Sequence, residues 1–435
     1  MTEDRIHVRR ADALASMPLA ERYGWRWRLA IAAAGLCTLL LIPGLGLPLV
    51  AGIGVWGNNI PFVWGFDLAN YGWWIGIANG AALFAALLVL WRAPLRVATN
   101  RLAETLALAA AVCAGLYPVF HLGKPWLAWW MAPVPQQTGL WPQPMSPLTW
   151  DFWAILAYLS TIALFWYIGM LPDLARLRDQ ARTRRTARLY GVAALGWYGS
   201  QRQWALQQRA YRVIALSVIP FLFVMQTIVS LELAITIVPD WHDTGLPVRM
   251  VVNGFASGLG MVLFVSATFG RTLQVTEGGR DGVLDRLGRL VLATALIAAF
   301  VIALTTLIEW LGPEGSGTVR RWTSGTGAWL TWASVGLVTL VPQLLWFEPV
   351  RRSRLFAALI GLGIAAGVWI DHFVVIVLGL SEDRLIAPPN LYRPNWAEVA
   401  LLAGTIGLFA LLLLLAARIV PLIARYHVRG EEVPE

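Results

Sequence analysis

Long apolar runs separated by short polar and mostly basic stretches recur from one end of the chain to the other. Segments at about 29–52, 66–91, 102–121, 149–171, 213–237, 247–270, 289–311, 327–348, 355–380 and 397–420 are each long and apolar enough to cross a hydrocarbon core of roughly 30 Å as a helix. In lipid the backbone must satisfy its own donors and acceptors, and helices do this segment by segment, so the pattern predicts an all-α polytopic membrane protein with ten spans. It divides the chain into an N-terminal segment 1–28, a transmembrane region 29–424 and a tail 425–435. Met1 to Arg28 is polar and basic and runs into the first span without a small-residue cleavage site, as expected of an uncleaved membrane protein. A weak repeat is visible: Asn79-Gly80 in the second span and Asn253-Gly254 in the sixth, each followed by small residues that let helices approach closely. The repeat predicts two four-helix bundles, about 66–237 and 247–380, with flanking helices.

Composition closes off the alternatives. With 58% hydrophobic and 14% charged residues, the chain cannot build a water-facing exterior over most of its length. The net charge of +9 would suit nucleic acid, but its placement points elsewhere. On the side of the termini the loops and their borders hold 28 of the 34 Lys and Arg, against 6 on the other. The positive-inside rule therefore places both termini in the cytoplasm, in the inner membrane of a bacterium, and the stretch from His121 to Asp151 outside. The basic excess reports topology and contact with membrane lipid, with no nucleic acid partner. The loop from Pro172 to Arg212 holds nine arginines and reads either as amphipathic helices on anionic lipid or as a topology anchor. The outer stretch from Ala132 to Pro147 is too rich in proline to be helical throughout and predicts a lid or docking surface. Trp126, Trp129, Trp130, Trp141, Trp150 and Trp153 crowd this loop and its borders, as in an interfacial belt.

Few residues can carry chemistry. Cys37 and Cys113, both in apolar spans, read as packing residues and supply neither a disulfide framework nor the ligands of an iron–sulfur cluster. Of five histidines, His7 and His427 sit in polar tails, His242 in a loop, His121 at a span end and His372 inside a span. A two-haem cytochrome needs paired intramembrane histidines, so no ligated metal or covalent cofactor is expected. Ionisable groups within spans are costly and mark function or buried pairs; the candidates are Glu104, Asp151, Glu232, Glu309, Asp371 and His372. Glu232 and Asp371 suit a proton relay or a buried polar pair, and Glu104, three residues after Arg101, suits pairing or snorkelling. His121 closes span three and Asp151 opens span four. Oxidising a quinol requires acceptors for two protons, and a histidine with a carboxylate in an apolar pocket supplies them. From spacing alone the same two residues read rather as interfacial, with Asp151 at the positive end of a helix dipole.

Ordered motifs decide between these readings. Phe120-His121-Leu122-Gly123-Lys124-Pro125-Trp126, Ser146-Pro147-Leu148-Thr149-Trp150-Asp151, and Phe165 through Ala175 with Arg178-Asp179 are followed by Leu195-Gly196-Trp197-Tyr198-Gly199-Ser200, Pro239-Asp240-Trp241-His242, Val341 through Phe347 and Gly367-Val368-Trp369-Ile370. Over roughly residues 60 to 400 the chain resembles the NrfD/PsrC-like integral subunits of alternative complex III. The resemblance implies a subunit, inactive alone, of a respiratory or photosynthetic quinol oxidoreductase. It implies quinol (menaquinol or ubiquinol) oxidation near the outer face by His121 and Asp151; the neighbouring Trp126 and Trp150 are then expected to line the ring slot. It also implies no metal in this subunit, and proton conduction through Glu232, Asp371 and His372, to which the scan of intramembrane charges adds Glu104. The implied partners are a periplasmic iron–sulfur subunit, a second NrfD-like subunit and c-type cytochrome subunits, the clusters and haems residing in those partners. Span two has Asn79-Gly80-Ala81 where the family usually carries a histidine, span five has Leu231-Glu232 for a usual tryptophan–aspartate, and span nine has Asp371-His372 for a usual glutamate–arginine. These departures keep open a non-catalytic paralogue serving as proton channel or scaffold. Ten spans and a repeat leave a stand-alone transporter as a third reading.

Overall fold

A computed structural model describes residues 24–56, 65–91, 95–127, 147–236, 238, 241–273, 282–312, 322–324, 327–381 and 394–423. Among them are ten helices long and apolar enough to cross a membrane, and no strand, so the chain is an all-α, multi-pass membrane protein. Ten crossings return the chain to the face it started from; the two faces are called here the terminal face and the far face.

The first span is broken. Helix α1 (Trp25–Thr38) gives way to α2 (Leu41–Ala51) two residues before Pro43, which has no N–H to donate to the carbonyl one turn back. Then follow α3 (Gly65–Leu90), α4 (Leu95–His121), α5 (Pro147–Asp179), the short amphipathic α6 (Arg184–Ala193) and α7 (Gln201–Ala234). The two largest overruns of the predicted apolar segments are in α5, which continues past Leu171 to Asp179, and α7, which starts at Gln201 rather than 213. Both extensions lie at the terminal face, where polar residues continue a helix without needing lipid. The turn between α6 and α7 places Leu195 (φ 46°), Gly196 (72°) and Gly199 (78°) in the left-handed region. A capping box of Ser200 and Gln203 then starts α7.

Helices α8 (Leu246–Leu273) and α9 (Val283–Leu311) are regular. Span eight is not: α10 (Ala328–Val335) widens into a π-helical turn at Gly336–Leu340 and tightens into a 3₁₀ turn at Val341–Trp346. The carbonyls of Leu345 and Trp346, left over by that change of pitch, accept from Arg351 Nη1 at 2.7 and 2.8 Å. Arg351 Nε bonds Asp285 on α9 at 2.8 Å. Beyond α11 (Glu348–Arg352), α12 (Arg354–His372) also widens into a π segment, Phe373–Leu378, and α13 (Trp396–Ile419) completes the set.

Helices α3, α4, α5 and α7 pack in a ring, as do α8, α9, span eight and α12; α13 flanks the first ring against α4, and α1 and α2 pack on α13. The rings meet where α3 crosses α8, and glycine makes that crossing possible. A Cβ on Gly80 would lie 2.7 Å from the Phe255 carbonyl oxygen and 2.8 Å from Gly258 Cα, and one on Gly76 would lie 2.9 Å from Gly254 Cα. Backbone rests on backbone there, as at small-residue contacts in lipid. Asn79 and Asn253, the paired asparagines of the sequence repeat, each bond across a ring from its first helix to its last. Asn79 Nδ2 donates to Gln226 Oε1 at 2.7 Å and Asn253 Nδ2 to Asp371 Oδ2 at 3.0 Å.

Candidate functional site

His121 is the last residue of α4, at the far face. Gly123 follows with φ 69°, the left-handed residue that ends a helix, and a Cβ there would stand 3.2 Å from Ile53 Cγ2. The tight contact brings the 3₁₀ turn Ile53–Trp56 over the end of α4. His121 thus lies buried among three aromatic rings: Trp56 (centroids 6.3 Å apart, edge-on), Tyr71 (6.4 Å, edge-on) and Tyr117 (6.1 Å). Trp56 is itself fully buried.

Tyr71 belongs also to a second feature. A cavity of about 350 Å³ opens between the two rings of helices near the far face. Leu68, Tyr71 and Gly72 come from α3, Gln226, Val229, Glu232 and Leu233 from α7, Met250 from α8, and His372, Ile376 and Leu380 from the end of span nine, with Val238 and Trp241 from the α7–α8 connection. Trp241 Nε1 donates to the Val375 carbonyl at 3.0 Å, so the Pro-Asp-Trp-His motif supplies a clasp on the π segment. Trp369, of the Gly-Val-Trp-Ile motif, donates to Asn70 Oδ1 at 2.8 Å and stacks on Phe373. The cavity has the size of a small-molecule site and an apolar lining with a few polar groups.

Two of the clusters of buried charge among the described residues hold expected site residues, and the charged groups of neither line this cavity. At the far-face end of the second ring Arg249 pairs with Asp371, which also accepts from Asn253. At the terminal-face end of the first ring Arg101 pairs with Glu104 at 2.7 Å and with Asp173 at 3.4 Å, and donates to the Gly169 carbonyl. Tyr211 hydroxyl donates to Glu104 and accepts from Asn100 at 2.6 Å. The third ordered motif, Phe165 to Ala175, is thereby accounted for: Gly169 leaves room for the Arg101 guanidinium, and Asp173 faces it. Tyr211→Phe should lower thermal stability by about 1–3 kcal/mol, because it leaves buried Asn100 and Glu104 each short of a partner. Thermal unfolding in detergent measures it; an unchanged midpoint would mean that water replaces the hydroxyl.

The expected site residues are therefore dispersed. Glu232 and His372 share the cavity, Asp371 is engaged by Arg249, and Glu104 lies in the other cluster. On α7, Tyr211 and Gln226 are about 22 Å apart at 1.5 Å per residue. The buried side chains between them, Ala215, Val218, Leu222 and Met225, are apolar. Trp126, expected in a ring slot, is 58% exposed. Trp150 and Asp151 open α5, but their side chains, like the whole loop 128–146 with its prolines and tryptophans, lie outside the described residues. Cys113 is buried as a packing residue should be, whereas Cys37 is exposed. Sequence reasoning passed over Trp56, Tyr71, Gly72, Gln226 and Arg249. Among 24 Trp and 10 Tyr the first two carry no mark, but Arg249 is an intramembrane charge that already falls within the predicted sixth span, 247–270.

A family model described as polysulphide reductase, NrfD, matches residues 54–381, the two rings in full. A selenate reductase subunit of Mesobacillus selenatarsenatis is 23% identical over 86% of this chain and 90% of its own length. A protein of Halobacterium salinarum provisionally named as a membrane subunit of dimethyl sulfoxide reductase is 21% identical over 94% and 95%. Xanthine permease XanP of Escherichia coli is 24% identical over 58% of this chain and 47% of the permease.

Proposed function

The chain belongs to the NrfD polysulphide reductase family, and from that premise we propose that it is the membrane subunit of a quinol-oxidising complex of the alternative complex III type. The observation that carries the reading is His121, buried among Trp56, Tyr71 and Tyr117 at the far-face end of α4. Aromatic walls suit a quinol ring, and an imidazole suits one of its two protons. Asp151, which opens the neighbouring α5, takes the other. The charge asymmetry makes the far face periplasmic and both termini cytoplasmic.

In the proposed reaction the quinol loses two protons, one each to His121 and Asp151 and on to far-face water, and two electrons, in single steps, to an iron–sulfur subunit docked there. It leaves as quinone. The relatives are named as subunits of a selenate and a dimethyl sulfoxide reductase, which supports a place beside redox partners. Further NrfD-like and c-type cytochrome subunits complete the proposed complex. For protons, Glu232 and His372 serve the far-face half. The apolar stretch of α7 between Gln226 and Tyr211 separates them from Glu104, so a route through the first ring needs water there.

The test is quinol-to-acceptor electron transfer in membranes carrying His121→Ala or Asp151→Asn, with assembly checked in parallel. Each should lower the rate about 10²-fold or more in an assembled complex, the usual contribution of a positioned acid or base. Rates within twofold of the unchanged protein would instead favour the non-catalytic paralogue, a proton channel or scaffold. A stand-alone transporter would require the purified chain to move solute by itself.

A further inference from the structure

His372 is fully buried, yet one of its nitrogens is unused. Nδ1 lies 2.8 Å from the Val368 carbonyl one turn earlier, and a carbonyl only accepts, so Nδ1 carries the hydrogen. In the neutral ring that leaves a lone pair on Nε2, which has no hydrogen-bond partner. Buried polar atoms are rarely left so, and a partner missing from a cavity wall points to a ligand. The wall is shaped for access: a Cβ on Gly72 would fall 3.0 Å from His372 Cδ2 and 3.4 Å from Nε2, so glycine keeps that edge of the ring open. The helix changes pitch immediately after His372, at Phe373–Leu378, and π turns concentrate at functional sites.

We propose that the cavity between the two rings is a second binding site for the head group of a quinol, distinct from the His121 cage, with His372 Nε2 accepting a hydrogen bond from one ring hydroxyl. The inference rests on the quinol chemistry proposed above. About 350 Å³ accommodates a one- or two-ring head group, and Leu68, Val229, Met250 and Ile376 give it apolar walls. Glu232 is the one carboxylate among the described lining residues and receives the second hydroxyl. Leu68, Val229 and Glu232 are half-buried where His372 and Gly72 are buried, so the head group points inward and its isoprenoid tail leaves on the side of α3 and α7. Tyr71 lies against both sites, touching His121 on one side and lining the cavity on the other.

The full-length chain, with the subunits that copurify with it, is titrated in lipid nanodiscs with the fluorescent quinol analogue 2-heptyl-4-hydroxyquinoline N-oxide. Affinity and stoichiometry are read from fluorescence quenching. Two sites are expected. His372→Phe should remove one, and Gly72→Ala should weaken the same one about tenfold, the value of one hydrogen bond to a buried acceptor. His372→Gln, which keeps an acceptor oxygen, should retain more affinity than His372→Phe, and His121→Ala should remove the other site. If His372→Phe, His372→Gln and Gly72→Ala all bind as the unchanged protein does, the inference is overturned. If His121→Ala changes nothing while His372→Phe abolishes binding, the His121 reading fails and the inference stands. No binding to the unchanged protein overturns both.

Discussion

Gly258→Leu should leave almost no folded protein to recover. The glycine sits where α8 crosses α3, and a Cβ there would lie 2.5 Å from Gly80 Cα and 2.6 Å from the Ala81 nitrogen and the Ile77 carbonyl oxygen. Over-packing a core commonly costs about 1–3 kcal/mol because side chains shift to absorb it. Here the obstructing atoms are backbone, which moves only if the whole helix moves, and this crossing holds the two rings together. Gly258→Ala should fall between, with a lowered melting temperature. Gly363→Ala is the control, since its Cβ would meet nothing nearer than Leu337 Cδ2 at 3.5 Å and alanine favours a helix by about 1 kcal/mol. Monodisperse yield after detergent extraction and the thermal midpoint measure all three. A normal yield of Gly258→Leu would mean that the rings do not meet at these glycines.

The second large effect concerns Arg249 and Asp371. Both are buried, 5% and 3% exposed, and Asn253 bonds the second carboxylate oxygen. Asp371→Leu should cost about 3–5 kcal/mol, since it takes from a buried guanidinium the carboxylate bonded to it. The double variant Arg249→Met with Asp371→Leu should be markedly more stable than Asp371→Leu alone, because removing both charges removes the unmatched one. The cycle also separates two roles for Asp371. If the complex conducts protons as proposed, a purely structural pair predicts that the double variant, once folded, does so at the unchanged rate. A proton carrier predicts that translocation is lost although stability returns, as read by dye acidification in vesicles.

Much of the candidate site was legible as a set of residues and little of it as a set of partners. Phe120 to Trp126 was readable as a motif, and the structure explains its glycine, because the positive φ at Gly123 that stops α4 also seats Ile53 and so Trp56 over His121. Nothing along the chain pairs Trp56 with His121 or Gly72 with His372, which are 65 and 300 residues apart. Glu104 was visible as an intramembrane acid, and its engagement by Arg101 is local, one helical turn apart. Its contact with Tyr211, 107 residues away, is not. Asp371 and His372 are adjacent in sequence but face different partners, Arg249 and the cavity, as neighbours on a helix point about 100° apart.

The sequence by itself determined the all-α class, the ten spans and the repeated asparagine–glycine pair. Lipid offers the backbone no hydrogen bonds, so each crossing must satisfy itself locally, and a local rule is readable from local composition. Tertiary structure alone decided which charges are matched, where pitch changes in spans eight and nine, and that a cavity with an open imidazole nitrogen lies between the rings. Those outcomes depend on side chains and glycines brought together from helices far apart in the chain, and packing at that range leaves no periodicity for the sequence to display.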